Sequence, residues 1–476
     1  IPLRLAGTGD HHLPTRGSAV SAGYDVAVIG AGIVGSAIAR ELAGHRLTVA
    51  LIDSRTDVGD GTSKANTAIL HTGFDAKPGT LEADLVRRGY RLLSEYAVGT
   101  GIPIERTGAI LVAWDAEQLG ALPGLRDKAE DNDYKRCEII DATTVYDRLP
   151  HLGPGALGGL TVPDESITCT WTVNLALATD AVNRGAHLRL GCRVESVEVE
   201  AGRTTLHTGD GPIRTRWVVN AAGLGADIVD GHFGFDRFRV TPRRGELIVY
   251  DKLARRLVDT IVLPVPTARG KGVLISPTVY GNVMLGPTAE DLTDRTDTAT
   301  TADGLNGLLD KGRRLLPRLL DEEVTATYAG LRAAADRDDY LIEADPAQRY
   351  LLVGGIRSTG LTAGMAIAEH ALALLGAAGL ELEPVGALPE PPRMPNLGEA
   401  FTRPYQDAAA IAADPAYGRI VCFCERVTEG ELRNACRSVI PPRTLDGLRR
   451  RTRALNGRCQ GFFCGAEVQS FLGEPR

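Results

Sequence analysis

The sequence predicts an α/β and α+β protein with a Rossmann-like nucleotide-binding domain and a separate small domain at its C-terminus. Strand-like and helix-like segments alternate from Tyr24 to about Leu380, and a glycine-rich turn between a strand and a helix opens this region. Five of the eight cysteines crowd the last 55 residues. A chain of 476 residues is too long for one core of ordinary size, so two or three domains are expected.

The glycine-rich turn has the features of a dinucleotide site. A hydrophobic strand over 26–29 runs into Gly30, Gly32 and Gly35, and a helix follows. A second strand ends in Asp53, which lies 18 residues beyond the third glycine, near the usual place of an acid that binds ribose. The glycines would permit a tight turn, bring a pyrophosphate close to the backbone and let helix and strand pack. A packing turn without a ligand is the alternative.

FAD is favoured over NAD as the dinucleotide. The turn lies at the start of the domain, and the chain has no second GxGxxG that follows a strand and could bind a nicotinamide nucleotide. Gly153–Gly158 matches the same letters, but no strand-like segment precedes it. Later strands end in glycine-rich turns over 218–225 and 350–364. The helix that starts after the second of these turns would suit the electron-rich edge of a flavin ring.

Composition divides the chain into four parts. Residues 1–22 are predicted to be an N-terminal tail, and residues 23–380 an oxidoreductase body. Residues 381–418 contain seven prolines, a density that predicts an extended linker. Residues 419–476 are rich in cysteine and arginine and are predicted to form the separate module.

Charge and hydropathy exclude several classes of protein. A net charge of −7 argues against nucleic acid as the main partner. No uncharged apolar run approaches the roughly 18 residues of a transmembrane helix, and the longest, such as Ala371–Leu380, are shorter. The first residues lack the apolar core of a secretory signal. We therefore expect a cytoplasmic protein whose membrane contact, if it has one, is peripheral and at the inner face.

The sequence resembles the D-amino-acid-oxidase/glycerol-3-phosphate-dehydrogenase superfamily of flavoproteins in the Gly30 motif, Gly61–Gly73, Val218–Gly225, Gly330–Arg332, Gly354–Gly364 and the cysteine-rich tail. It is most similar to glycerol-3-phosphate dehydrogenases of the anaerobic large-subunit type, with L-2-hydroxyglutarate dehydrogenases as near relatives. The resemblance implies an FAD-binding domain, over about 23–110, 165–235 and 345–380, interleaved with an antiparallel-sheet substrate domain over about 111–164 and 236–344. It implies FAD contacts at Gly30, Gly32, Gly35, Asp53, Ser63, Asn66, Val194, Ala222, Gly223, Gly355, Gly360, Leu361 and Thr362.

The resemblance also implies three catalytic candidates. Arg332 is similar to the family's arginine for the substrate anion, whose planar fork suits carboxylate or phosphate, and a surface arginine is the alternative. His71 stands where relatives place a residue beside the flavin, where it could act as a base, donate a hydrogen bond to the ring or carry the flavin covalently. A structural histidine is the alternative. Glu246 stands near the position of a histidine in some relatives and is a candidate base, against a solvated strand end.

The surroundings of Arg332 depart from the family pattern. The proline that follows this arginine in relatives is Ala333 here, which bears on whether glycerol 3-phosphate itself is the substrate. Acidic residues follow at Asp336, Asp338 and Asp339. Four basic residues could also line the pocket or be surface charges: Lys77, Arg243, Arg244 and Arg357.

The C-terminal cysteines have the spacing of a metal site. A C-x-C pair is followed after 34 residues by a C-x4-C pair, formed by Cys422, Cys424, Cys459 and Cys464. Thr428 and Glu431 predict the start of a helix between the pairs, and Cys436 on that helix is expected to be a core residue. Four thiolates suit zinc or iron–sulfur. The arrangement resembles the bacterioferritin-associated-ferredoxin-like [2Fe-2S] domain, and a flavin that must release electrons singly favours the cluster.

Three functions follow as hypotheses. The first is an FAD-dependent dehydrogenase that oxidises a small anionic 2-hydroxy compound, either glycerol 3-phosphate or an L-2-hydroxy acid such as 2-hydroxyglutarate, by hydride transfer to flavin. Its electrons would leave through the cluster to an acceptor protein or a quinone. The second is an amine or imino-acid dehydrogenase. The third is an electron-transfer subunit of a larger hetero-oligomer with an idle flavin pocket, against which Arg332 and the intact glycine motif argue.

Overall fold

A computed structural model describes residues 23–266 and 272–473. The predicted tail over 1–22 lies outside the described residues. In chain order the described strands are β1 (Tyr24–Ile29), β2 (Val49–Asp53), β3 (Ile69–Leu70), β4 (Ile104–Glu105), β5 (Ala109–Ala113), β6 (Glu138–Asp141), β7 (Gly158–Val162), β8 (Ser166–Thr168), β9 (His187–Leu190), β10 (Val194–Glu200), β11 (Arg203–Thr208), β12 (Ile213–Asn220), β13 (Val240–Tyr250), β14 (Ile261–Pro264), β15 (Leu274–Pro277), β16 (Val283–Gly286), β17 (Glu290–Asp291), β18 (Val324–Ala335), β19 (Leu341–Asp345), β20 (Tyr350–Gly354), β21 (Ile420–Cys422) and β22 (Val427–Thr428). The described α-helices are α1 (Ile33–Leu42), α2 (Leu81–Thr100), α3 (Ala116–Asp131), α4 (Ala142–Arg148), α5 (Thr170–Asn183), α6 (Ala226–His232), α7 (Ala302–Leu315), α8 (Gly360–Ala377), α9 (Ala408–Ala413), α10 (Glu429–Cys436), α11 (Leu445–Thr452) and α12 (Gly465–Gly473).

The nucleotide-binding half is built on a mixed eight-stranded sheet. Its order is β10-β11-β12-β1-β2-β9, with β20 also beside β12 and β19 beside β20. Strands β9, β2, β1, β12 and β20 run parallel. Successive residues of β1 enter different cores, Val26 and Val28 on the face covered by α1, α2, α5 and α8, and Ala27 and Ile29 on the face towards α6. This Rossmann-like arrangement confirms the predicted fold class.

A second, nine-stranded sheet forms the other half of the body. Its order is β17-β13-β16-β15-β14-β5-β7-β6, with β18 beside β13. All its pairs are antiparallel except β14 with β5. Its strands come from 109–162 and 240–335, so the chain alternates between the two sheets as predicted. The register of β13 and β18 places Arg243 opposite Arg332.

Among the described residues, one helix, α8, is long enough and apolar enough to cross a membrane. Its apolar run is interrupted by Glu369 and His370, which is why the sequence shows no uncharged stretch of that length. Within the protein 61% of the helix is buried, and it packs against α1 and α2. This packing is that of a core helix.

The segment over 381–418 is only partly extended. It is free of α-helix up to Pro404, but α9 then forms in a run of alanines that contains no proline, and the side chain of Asp407 caps it by accepting from two backbone N–H groups. Leu397 is buried in the core of the body. The prediction of an extended linker is therefore wrong over α9, and Leu397 anchors the segment to the body.

The cysteine-rich module has a small core of its own. Helices α10, α11 and α12 and the β21–β22 hairpin enclose Val421, Val427, Leu432 and Leu448. Thr428 begins α10, and its hydroxyl and the Glu431 side chain form the reciprocal N-terminal bonds that the sequence predicts. Cys436, the last residue of α10, packs partly buried against this core.

Candidate active site

A cavity of about 1230 Å³ opens between the two sheets. Its first wall is formed at the carboxyl ends of β1, β2, β12 and β20, where open α/β sheets bind their ligands. Its second wall comes from β13, β14 and β18 of the other sheet. The cavity therefore brings the predicted nucleotide site and the predicted substrate domain together.

The glycines of the first turn divide into two roles. A Cβ on Gly30 would lie 2.3 Å from the carbonyl oxygen of Ala221, and one on Gly35 would lie 1.8 Å from the carbonyl oxygen of Gly30. These two positions therefore require glycine for packing. Gly32 and Gly223 line the cavity, as Gly30 also does, and a Cβ on Gly223 would meet no atom within 4 Å. The cavity thus exposes bare backbone, which fits a cofactor whose phosphates approach the main chain.

Asp53 and Ser63 brace the glycine turn. The Asp53 carboxylate, at the end of β2, accepts from the backbone N–H of Ala31 at 2.7 Å and of Arg55 at 2.8 Å. Burial raises the pKa of Asp53, although these two bonds oppose the shift. The Ser63 hydroxyl accepts from Ile33 N at 2.9 Å, in the first turn of α1. Both side chains also line the cavity.

The other predicted cofactor residues fall into two groups. Those that line the cavity are Asn66, Val194, Ala222, Gly355, Gly360 and Leu361. The amide of Asn66, however, is engaged with its own loop, because it donates to Ser63 O and accepts from Ala68 N. Thr362 is fully buried and does not line the cavity, and its hydroxyl accepts from the backbone N–H of His71 at 3.0 Å. The geometry therefore does not support a direct contact between the Thr362 side chain and the cofactor.

His71 lines the cavity and is held by a buried carboxylate. Its Nδ1 atom lies 3.0 Å from Oε2 of Glu165, a residue that is fully buried. The other Glu165 oxygen accepts from the backbone N–H and the hydroxyl of Thr72, at 2.7 and 2.9 Å. Glu165 lies just before β8, far from His71 in sequence, and our sequence reasoning missed it. A lone glutamate after a turn carries no sequence signal for this role.

Arg332 presents a positive charge to the cavity. In the part of the chain that the structure describes, no carboxylate pairs with Arg332, and its guanidinium makes only a 3.5 Å contact to the carbonyl oxygen of Thr288. Burial, together with the charge of the neighbouring Arg243, lowers the pKa of Arg332. Arg243 is itself paired through two bonds with Asp291. An uncompensated cation in this position is suited to receive an anion.

Glu246 does not line the cavity, contrary to the expectation for a base. It is buried, and its carboxylate accepts from the N–H and hydroxyl of Thr301 at the start of α7 and from the hydroxyl of Thr288. These bonds make Glu246 a structural residue that ties β13 to α7. Arg244 also lies outside the cavity and pairs with Glu290.

The remaining charged candidates are distributed around the cavity rim. Lys77, Arg243 and Arg357 line it. Of the acids after Arg332, only Asp338 lines the cavity, 3.9 Å from Lys77. Asp339 instead accepts from the first backbone N–H groups of α2. Asp336 accepts from the backbone N–H of Arg239, so two of the three acids are bound to the backbone outside the cavity.

The four predicted cysteine ligands come together in the module. Cys422 contacts Cys464 and Cys424 contacts Cys459, and the two pairs are close enough to influence each other's ionisation. Backbone N–H groups, first that of Phe463, lower the pKa of Cys459, whereas burial raises that of Cys464 to about 12. No three His, Cys, Asp or Glu side chains in the described ranges surround one metal position. Two thiol pairs fit the two irons of a [2Fe-2S] cluster, each of which takes two thiolates.

The module is docked on the nucleotide-binding half through buried ion pairs. Arg451 makes two bonds to the Asp57 carboxylate, at 2.7 and 2.8 Å. Arg450 bonds the same carboxylate at 2.8 Å and Asp60 at 2.9 Å. Asp57 lies in the loop that leads from β2 to Ser63 at the cavity wall. Arg450 and Arg451 of the arginine-rich module thus attach it beside the loop that leads to Ser63.

The nucleotide cavity and the paired thiols define a flavin-dependent oxidoreductase that carries an iron–sulfur domain. Residues 25–374 match the family of FAD dependent oxidoreductases, and residues 420–474 match the BFD-like [2Fe-2S] binding domain. The chain belongs to the FAD dependent oxidoreductase family. The predicted cofactors, FAD and a [2Fe-2S] cluster, are thereby confirmed, and the zinc alternative is set aside.

Individual relatives show which members of the family this chain is similar to. The chain is 36% identical over 451 residues to the glycerol 3-phosphate dehydrogenase of Caloramator mitchellensis, covering 94% of each chain. It is 30% identical over 282 residues to the mitochondrial L-2-hydroxyglutarate dehydrogenase of Caenorhabditis briggsae, covering 56% of this chain and 63% of the relative. The FAD-bound L-α-glycerophosphate oxidase of Mycoplasma pneumoniae superposes with a TM-score of 0.74 at 26% identity, covering 78% of this chain and 99% of that one.

Proposed function

We propose that this chain oxidises a small anionic 2-hydroxy compound, with glycerol 3-phosphate as the first candidate and an L-2-hydroxy acid such as 2-hydroxyglutarate as the second. The observation that carries the proposal is Arg332, a cation directed at the cavity without a carboxylate partner in the described residues. The relative that is alike over 94% of the chain, a glycerol 3-phosphate dehydrogenase, supports the same substrate.

The residues of the cavity suit the two ends of such a substrate. FAD supplies the acceptor for the hydride. Arg332 binds the phosphate or carboxylate of the substrate, with Lys77 and Arg357 adding positive charge at the rim. His71 takes the hydroxyl proton, and Glu165 holds its ring in place. The apolar side chains of Leu111, Leu263 and Leu274 exclude water from part of the same cavity.

Electrons leave through the [2Fe-2S] cluster in this proposal. Three phenylalanines beside the cysteines, Phe423, Phe462 and Phe463, are exposed by 74, 86 and 80%. Large apolar side chains in contact with water mark surfaces that other molecules cover. We infer that an electron-acceptor protein or a quinone, in a hetero-oligomer or in passing, takes electrons at this surface, and that the enzyme works in the cytoplasm or at the inner face of the membrane.

The proposal is tested by bleaching the bound flavin without air. The purified holoenzyme is mixed with glycerol 3-phosphate, L-2-hydroxyglutarate or sarcosine, and the flavin absorbance is followed after each addition. We expect bleaching by one of the two hydroxy compounds and none by sarcosine. Bleaching by sarcosine alone would overturn the proposal in favour of an amine dehydrogenase.

A further inference from the structure

An aromatic stack lies where the cysteine module meets the body. The rings of Trp171 and Tyr280 are stacked, with centroids 5.3 Å apart and planes inclined by 22°. The guanidinium carbon of Arg453 lies 4.1 Å from the centroid of the Tyr280 ring and 5.8 Å from that of Trp171. Trp171 lies in the first turn of α5 in the body, Tyr280 lies between β15 and β16 of the nine-stranded sheet, and Arg453 follows α11 of the module. The three residues therefore join all three parts of the molecule.

One end of the stack contacts the cavity wall. The indole N–H of Trp171 donates to the carbonyl oxygen of Lys64 at 3.0 Å. The next two residues, Ala65 and Asn66, line the cavity. Tyr328 reaches the same loop, because its hydroxyl donates to the carbonyl oxygen of Asn66 at 2.8 Å. The loop that lines the cofactor cavity is thus bonded directly to the aromatic group.

The other end of the stack reaches the cysteines. Arg453 donates from Nε and Nη2 to the carboxylate of Glu425, at 3.2 and 3.1 Å. Glu425 directly follows Cys424 in the chain and is buried. Arg453 also donates to Asn282, two residues beyond Tyr280. Bonds and stacking contacts therefore connect the cavity wall to a cluster ligand.

We propose that Trp171, Tyr280 and Arg453 form the route by which electrons pass from the flavin cavity to the cysteine cluster. This inference rests on the proposed exit of electrons through the cluster. Electrons tunnel faster through closely packed, bonded atoms than across empty gaps. This stack forms such a connection between the cavity wall and a cluster ligand. Oxidation of the alcohol yields two electrons, and the cluster accepts one at a time. Two successive transfers, each passed on to an external acceptor protein or quinone, therefore balance one turnover.

The side chains of the route carry no net chemical change. Burial raises the pKa of Tyr280 well above its usual range, so its hydroxyl keeps its proton at neutral pH. That hydroxyl lies 3.0 Å from the sulfur of Cys169. The ring, and not the hydroxyl, makes the contact with Arg453 and Trp171. Replacing the ring and removing the hydroxyl should consequently have different effects.

The test measures electron transfer within the anaerobic holoenzyme. The flavin is reduced by a light pulse with a deazaflavin donor, and the appearance of the reduced-cluster electron paramagnetic resonance signal is timed by freeze-quenching. We expect Tyr280→Leu and Trp171→Leu to slow cluster reduction by about tenfold or more, while Tyr280→Phe stays within about twofold of the wild type. Flavin and iron contents and the two reduction potentials are measured for each variant, so that loss of a cofactor is recognised.

A matched control is Trp114→Leu. Trp114 lies beside Arg314 in the half of the body that contains the nine-stranded sheet, and it is not part of the stack. Replacing Trp114 should therefore leave the rate of electron transfer to the cluster unchanged. Wild-type rates in loaded Tyr280→Leu and Trp171→Leu variants would overturn the route. Reduction of the wild-type flavin without any reduction of its cluster would instead overturn the proposed electron exit, and with it this route. Substrate bleaching of the flavin is independent of both outcomes.

Discussion

The Nδ1 atom of His71 lies 3.0 Å from the carboxylate of Glu165, and Glu165 is inaccessible to water. The second oxygen of that carboxylate is bound by Thr72, the residue that follows His71. Burying a carboxylate costs free energy unless the carboxylate is hydrogen-bonded. The bonds to Glu165 are therefore kept, and they fix the positions of His71 and Thr72 together. A histidine held in this way presents one orientation to the cavity.

We predict that Glu165→Gln lowers kcat by about 10- to 100-fold and changes KM for the active hydroxy substrate by less than about twofold. The amide still fills the space but no longer stabilises the protonated ring. Steady-state kinetics over a range of pH measure this, and the pH profile of kcat should change shape because the residue acts through His71. As a control, Thr72→Val removes one bond to the Glu165 carboxylate but leaves the contact between Glu165 and His71 in place. The decrease in kcat should therefore be smaller for this variant. A Glu165→Gln enzyme with the wild-type kcat and pH profile would show that the pair is only structural.

Arg332→Lys should weaken binding of the anionic substrate by about 10- to 100-fold, because lysine cannot offer the planar pair of donors. The dissociation constant is measured by anaerobic flavin titration with glycerol 3-phosphate and with L-2-hydroxyglutarate. Arg313→Lys, on an exposed position of α7 outside the cavity, is the matched control and should bind as the wild type does. Unchanged affinity in Arg332→Lys would place the anion site elsewhere.

Cys459→Ser should lose the cluster, whereas Cys436→Ser should keep it. Cys459 contacts Cys424 in one of the two thiol pairs, and Cys436 packs in the core of the module at the end of α10. Iron analysis and the visible spectrum of protein purified without air measure the outcome, with about two iron atoms per chain expected in the wild type and Cys436→Ser. Full iron in Cys459→Ser, or its loss only in Cys436→Ser, would contradict the ligand assignment.

Asp57→Asn should destabilise the attachment of the module by roughly 3–5 kcal/mol, since it leaves Arg451 buried without its countercharge and removes one of the carboxylates that pair with Arg450. Thermal unfolding followed by the cluster absorbance measures the loss. Asp446→Asn, at an exposed position of α11, is the control and should cost less than about 1 kcal/mol. Equal stability of the two variants would mean that the ion pairs do not hold the module.

The same contact predicts a pH dependence. Burial by itself raises the pKa of Asp57, but the bonds and charges of Arg451 and Arg450 outweigh it and lower the pKa below the usual value for an aspartate. A lowered pKa in the folded state contributes stability at neutral pH that is lost as the pH falls through that pKa. Acid unfolding of the wild type should therefore show a loss that Asp57→Asn lacks. Identical acid unfolding curves would contradict this.

The parts that sequence predicted well are those encoded locally. The strand, glycine turn and helix at Gly30 follow from contiguous residues, and so does the N-terminal bond pair of Thr428 and Glu431. The cysteine spacing likewise predicted the cluster, because the thiol side chains are themselves the ligands. Arg332 was reached through resemblance, and the structure places it at the cavity.

The parts that sequence did not predict depend on distant contacts. Glu165 is 94 residues from His71, and Asp57 is 394 residues from Arg451, so neither pairing leaves a periodic or spaced pattern. Glu246 was misjudged for the same reason. Its position near a histidine of some relatives suggested a base, whereas Thr301 at the start of α7, 55 residues further along the chain, bonds its carboxylate. Whether a polar strand residue faces the cavity or a neighbouring helix is decided by such tertiary partners.

Single-turnover mixing of the anaerobic holoenzyme with glycerol 3-phosphate shows whether electrons pass from the substrate through the flavin to the cluster. Flavin absorbance and the reduced-cluster resonance signal are followed in the same samples. We predict that the flavin bleaches first and that the cluster signal rises as electrons move on, with both changes absent in the same preparation mixed with buffer. Flavin bleaching that never produces a reduced cluster, or a protein that carries neither flavin nor iron, would contradict it.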